Sequence, residues 1–263
     1  MSQQQAEGVP RTDIAWERRW GRPVGAGAVL SVVATIAAVP VAATDVAQKV
    51  GDPNDLTLLT SVGQSGGGQV AAMLLRLFSI LVLIPLTTFL YRAVRARAPE
   101  HSPFIPLLGV VAFVVVAVST AIGFFEVREV ARDFVASGPQ TLSRAEGTLS
   151  DARGEGMLQV ANVMQIIGGA LFGLWISITS LEVMRVGLLT RFLGIFGIGA
   201  GVATVVGIPV GSALFLAWLG SVGVLAFGYW PGGRPAAWDT GRAVSWQESD
   251  QIQRRQRHGG ESA

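Results

Sequence analysis

The chain has 263 residues, half of them hydrophobic and 14% charged, with a mean hydropathy of +0.48 and a formal net charge of +2. Those figures lie outside the range of an ordinary water-soluble domain and place the chain in a bilayer. With no cysteine and only His101 and His258, disulfides, thiolate catalysis and cysteine zinc or iron–sulfur sites are excluded and a histidine metal site is not expected; the small basic excess lies beside apolar runs and fits membrane topology better than nucleic-acid binding.

A spanning helix needs about 20 apolar residues to cross a hydrocarbon core roughly 30 Å thick. Residues 1–23 form a polar segment in which Trp16, Arg18, Arg19, Trp20 and Arg22 crowd against the first apolar run, the pattern of a headgroup anchor. The first span is expected at about 24–43. Arg18-Arg19 before an apolar region that ends in Val41-Ala42-Ala43 also resembles a cleaved secretory signal. The run is long for a signal core, however, and Glu17-Arg18-Arg19-Trp20 matches the twin-arginine context poorly, so a retained span is expected. Residues 44–69 read as a polar loop with a short interfacial helix through Leu56, Leu58 and Leu59, followed by Gly66, Gly67 and Gly68.

The second span is expected at 70–91, with one charge inside it, Arg76, and the link to residue 103 holds Arg92, Arg95, Arg97 and two prolines. The third, at 104–127, continues as an amphipathic stretch through Glu126, Arg128, Glu129, Arg132 and Asp133 until Gly138-Pro139. After a polar segment to Gly156, the fourth span covers 157–184: Gln159, Asn162 and Gln165 mark its start, and Gly169 and Gly173 its middle. The fifth is expected at 192–208 and the sixth at 212–230, joined by a turn at Pro209 and Gly211. Trp230-Pro231-Gly232-Gly233 stops the last helix, and the tail at 231–263 is expected to be largely disordered. No internal repeat is apparent, which argues against an inverted-repeat transporter. The fold expected is all-α, a polytopic six-transmembrane-helix bundle over 24–230.

Six spans put both termini on one side. Fourteen arginines then share that side, against Lys49, Arg128, Arg132, Arg144 and Arg153 on the other. The bias predicts cytoplasmic termini and two long outward loops.

A charge within a span costs several kcal/mol on insertion scales unless it is paired or hydrated. Arg76 is expected about two turns deep, about 10 Å at 1.5 Å per residue. Glu126, Asn162 and Gln165 fall in the same outer half, so the four form a candidate polar cluster. It serves either as a pocket for an anionic headgroup or small solute, or as a pairing that fixes helix packing. Gly63-Gln64-Ser65-Gly66-Gly67 matches the G-x-S-x-G pattern, and its G-x-S-G core with six spans resembles the rhomboid intramembrane serine proteases. A serine nucleophile needs a base within reach, and neither histidine is expected on the side of Ser65, so an intramembrane serine hydrolase remains only a remote alternative. Gly169 and Gly173, Gly197 and Gly201, and Gly207 and Gly211 are four residues apart, a spacing that lets helices in lipid approach closely. They are expected to pack the last three spans internally, with homo-oligomerisation as the other use.

Tyr229-Trp230-Pro231-Gly232-Gly233-Arg234-Pro235-Ala236-Ala237-Trp238 and the span pattern resemble uncharacterised actinobacterial integral membrane proteins, which end with a tryptophan shortly after W-P-G-G. Spans two to six are loosely similar to a bacterial family of six- to seven-span proteins of unknown function. The resemblance implies a bacterial cytoplasmic membrane and carries over no catalytic residue. The sequence thus predicts a non-enzymatic protein without cofactor, structural, accessory or lipid-interacting, whose partners are membrane lipids, further copies or other membrane proteins. A small-solute or ion transporter or channel using the Arg76 region is the alternative.

Overall fold

The computed structural model describes residues 11–47, 55–64, 67–208, 210–231, 233–245 and 248, and all regular structure among them is helical. The order is α1 (Arg11–Ala47), α2 (Asp55–Gln64), α3 (Gly67–Leu81), α4 (Leu83–Arg97), α5 (Phe104–Ala136), α6 (Leu142–Gly154), α7 (Gly156–Arg185), α8 (Arg191–Val205), α9 (Val210–Phe227) and α10 (Ala237–Thr240). Hydrocarbon offers no partner to backbone polar groups, so a chain this apolar must satisfy them within helices.

Among the described residues five helices are long and apolar enough to cross a bilayer: Ile14–Ala42 within α1, Gly67–Arg97 across α3 and α4, Phe104–Ala136, Gly156–Arg185 and Val210–Phe227. The expected fifth span, 192–208, is shorter than the sequence suggested. Its helix, α8, has 15 residues, about 22 Å at 1.5 Å per residue. Gly207 ends it at φ 75°, with the Ile208 N–H donating to the Ala203 carbonyl, a closing turn that glycine accepts without strain. The second expected span is helical throughout, but its ladder is interrupted at Val82 between α3 and α4. Pro85 is the physical cause, since it brings no N–H for the carbonyl of Leu81 four residues earlier.

The chain divides into two compact units, one made of Met1–Leu30, Val82–Ala112 and Ala170–Ala263, the other of Ser31–Leu81 and Phe113–Gly169. In the first, Trp175, Trp218, Ile176, Leu188, Leu193 and Leu219 are fully buried. A Cβ on Gly173 or Gly201 would lie within 3 Å of the other's helix backbone, and one on Gly211 within 3 Å of Ala203. These glycines therefore hold α7, α8 and α9 in backbone contact. Gly197 lies against Ser180 and Trp218.

The second unit contains a helix that the sequence did not lead us to expect. α6 forms in the segment read as polar loop, and it pairs with α2 over a core of Leu59, Val62, Ala131, Phe134, Ala145 and Leu149. Gly63 lets α2 reach α5, because a Cβ there would meet the Ala131 carbonyl. Within this unit Ser31 Oγ donates to the Ser79 carbonyl (2.8 Å) and Gln69 Nε2 to the Ala42 carbonyl (3.1 Å), tying α1 to α3. Val115 and Val116 of α5 close on Gly168 of α7.

Candidate functional site

Helix α3 carries its apolar residues in two stripes. Leu74, Phe78 and Leu81, at i, i+4 and i+7, are 56%, 46% and 50% exposed and form an outward apolar stripe. Ala72, Arg76 and Ser79 repeat the same spacing two residues out of phase, on the opposite side, and Ala72 and Ser79 are buried. Arg76, between them, is exposed. Arg76 is thus the exposed member of an otherwise buried stripe, its long side chain reaching past its packed neighbours.

Among the described residues the Arg76 side chain makes no hydrogen bond or ion pair. Glu126 is half-buried on α5, and no ion pair joins it to Arg76. Asn162 and Gln165 are both exposed on α7. Gln165 Oε1 lies 2.7 Å from Ser119 Oγ, whose single proton is shared with the Val116 carbonyl at 2.9 Å. All four cluster residues thus belong to one unit, but the only hydrogen bond that any of these side chains makes among the described residues is Gln165 to Ser119. Of the expected packing glycines, Gly169 stands in open space, where an added Cβ would meet nothing within 4 Å, and Gly207 acts as a helix stop. Ser65 and Gly66 of the G-x-S-x-G stretch, and His258, lie outside the described residues; Gly63 there has the packing role given above.

The first unit holds a second polar centre that sequence spacing did not reveal. Arg97 binds Glu17 through both nitrogens, at 2.5 and 2.8 Å, and donates to the carbonyls of Ala93 and Ala237 at 2.8 Å each. Arg97 has a 0% exposed side chain and Glu17 one of 3%. Two buried charges are tolerable because each is paired and hydrogen-bonded. In the same unit Trp16 stacks on Phe89 at 5.3 Å and Phe89 on Trp238 at 6.0 Å, while Arg92 lies 4.2 Å over the Trp16 ring. Trp238 Nε1 donates to the Leu188 carbonyl at 2.9 Å, and Val244 N–H to that of Val186. Residues 233–245 therefore depart from the expected disordered tail: Ala237, Trp238 and Val244 are buried, because the indole finds both ring partners and an acceptor. Arg234 donates to the last carbonyls of α9 and lies over Trp238. Burial pushes its pKa below the usual arginine value, with Asp239 opposing and Arg22 and Arg18 adding to the fall.

Also in this unit, His101 Nδ1 approaches Glu182 Oε2 at 3.6 Å, and Arg185 binds the other carboxylate oxygen at 3.0 Å. A narrow, mostly apolar crevice beside them is lined by Tyr91, His101, Ile105, Trp175, Thr179 and Glu182, and the buried Thr179 hydroxyl has no partner among the described residues. No group of three or more metal-ligating side chains occurs among the described residues.

The family described as "Domain of unknown function (DUF4386)" matches residues 26–230. The chain belongs to this family. The match takes in every helix from the apolar part of α1 to α9 and ends before the Trp238 segment. Neither the curated proteins nor the solved structures yield a match.

Proposed function

We propose that this member of the DUF4386 family is a lipid-interacting protein of a bacterial cytoplasmic membrane, in the actinobacterial group that its W-P-G-G…W ending resembles. The observation that carries this reading is the exposure of Arg76, Asn162 and Gln165 on helices apolar enough to span. Bare hydrocarbon satisfies none of these groups, so each needs water or a polar part of a lipid. In this reading α8 enters the bilayer as a sixth, short span, completing a bundle over 24–230. Both termini then face the cytoplasm, as the arginine distribution favours, and α2 and α6 belong to outward-facing segments. The role is binding or accessory, without catalysis or cofactor.

Native mass spectrometry of the purified full chain tests it. Retention of phospholipid above that of an unrelated bundle of similar size supports the reading, and equal or no retention sinks it. A reporter fused at Gly147 that proved cytoplasmic would overturn the topology separately. A solute transporter or channel is the second reading, favoured by one observation: the helix that carries Arg76 is interrupted at Val82, as transporter helices often are near their sites. Solute flux into liposomes reconstituted with the protein would establish it.

A further inference from the structure

We propose that the end of the first unit where α1 begins and α4 and α9 finish is a docking surface for the anionic headgroups of a membrane leaflet, with Arg18, Arg22, Arg92 and Arg234 as its cations. The proposal rests on the lipid-interacting reading and names where in the fold the lipid is met and the charge it must carry.

The surface is built on an aromatic column. Trp16, Phe89 and Trp238 stack in sequence, and a guanidinium lies over each end member, Arg92 at 4.2 Å from Trp16 and Arg234 at 5.4 Å from Trp238. α1 is held against the same elements. A Cβ on Gly21 would touch both the Ala226 carbonyl of α9 and the Phe89 ring of α4, and one on Gly25 would press on the Gly223 carbonyl. This packing brings Arg18 and Arg22 towards the end of α9, close enough for their charges to act on Arg234.

Arg18, Arg22 and Arg92 are exposed and make no hydrogen bond or ion pair among the described residues. The acids nearby do little to balance them: Glu17 is consumed by Arg97, and Asp239, which also acts on Arg234, is a single charge against four. Like charges gathered in this way repel one another, so an anion laid across them is held more tightly than by one arginine alone. Guanidinium groups already resting on rings lose less freedom when they bind, and they suit phosphate. Aromatic side chains set the depth of the partner. Trp20, near the start of α1, is 46% exposed and Tyr229, just after α9, is 82% exposed; such rings sit at headgroup level, which favours an anionic phospholipid over a polyanion in the water.

The test is native mass spectrometry of the purified full chain in neutral detergent, with phosphatidylglycerol and phosphatidylcholine of the same acyl chains as probes. Both carry a phosphate, and only the first has a net negative charge. The wild type is expected to retain phosphatidylglycerol at least tenfold over phosphatidylcholine, with a preference that shrinks as salt is raised. Each surface arginine contributes roughly fivefold, so Arg18→Gln/Arg22→Gln should remove at least tenfold of the preference and Arg92→Gln a smaller factor. Arg132→Gln/Arg153→Gln, which takes two exposed arginines from the other unit, should leave it within about twofold. Thermal midpoints without lipid control for folding, and the exposed Arg18 and Arg22 can be replaced without opening the core. Equal retention of the two lipids by the wild type, or an unchanged preference in Arg18→Gln/Arg22→Gln, overturns the surface while leaving lipid interaction intact. Absence of any lipid retention by the wild type overturns the functional reading itself.

Discussion

Replacing Arg97 by Leu removes the cation from a pair whose side chains are 0% and 3% exposed. Glu17 is then left as a buried carboxylate without counter-charge, and the Ala237 carbonyl loses its donor. Breaking one side of a buried pair costs about 3–5 kcal/mol. At about 2–4 °C per kcal/mol for a chain of this size, the apparent Tm should fall by about 6–20 °C. Removing both charges, in Glu17→Leu/Arg97→Leu, eliminates the stranded carboxylate, so the double variant should be more stable than Arg97→Leu alone and the two changes should couple by more than about 1 kcal/mol. Tryptophan fluorescence during thermal unfolding in detergent reads this directly, because Trp16 and Trp238 flank the pair through Phe89. A shift under about 2 °C for Arg97→Leu, less than the loss of even 1 kcal/mol would give, or simple additivity in the cycle, would refute the view that this pair fastens residues 233–245 to the helices.

Phe134→Ala and Leu149→Ala empty the core beneath α2 and α6, and each should cost about 2–5 kcal/mol; limited proteolysis of the 142–154 segment checks the loss. Gly201→Val forces a side chain into the α7 backbone at Gly173 and should cost about 1–3 kcal/mol. Gly169→Val, with open space around it, should leave the thermal midpoint unchanged. Trp238→Ala removes the Phe89 contact and the bond to Leu188; it should raise protease access to residues 233–245 while leaving the 142–154 segment untouched.

Hydropathy and helix stops made most of the fold legible. The apolar runs, a short helix through Leu56–Leu59 and the continuation of the third apolar helix to Asp133 all appear in α1 to α9. The α8 shortfall was not legible because Gly207, whose spacing suggests a packing residue, stops the helix inside an apolar run that hydropathy alone extends to 208. In α6 the sequence does carry a signal: Leu142, Ala145, Leu149 and Ala152 recur at helical spacing, but in a segment whose polar composition suggests a loop. The Glu17–Arg97 pair spans 80 residues of sequence, and no local pattern marks such a partner. At the candidate site, charge in an apolar run singled out Arg76, and Asn162 and Gln165 followed from the same reasoning. Gln165's attachment to Ser119, and the absence of a bond to Arg76 among the described residues, depend on packing that sequence spacing does not encode.

The most direct test of the central claim, that Arg76 meets water or a polar headgroup in the middle of an apolar helix, uses the chain's lack of cysteine. Single cysteines at Arg76, Leu74 and Phe78 can be labelled in intact membranes by a charged, water-soluble maleimide, which reacts only with a hydrated thiolate. Arg76→Cys should react at least tenfold faster than Leu74→Cys or Phe78→Cys. Equal, slow labelling at all three positions would contradict the account.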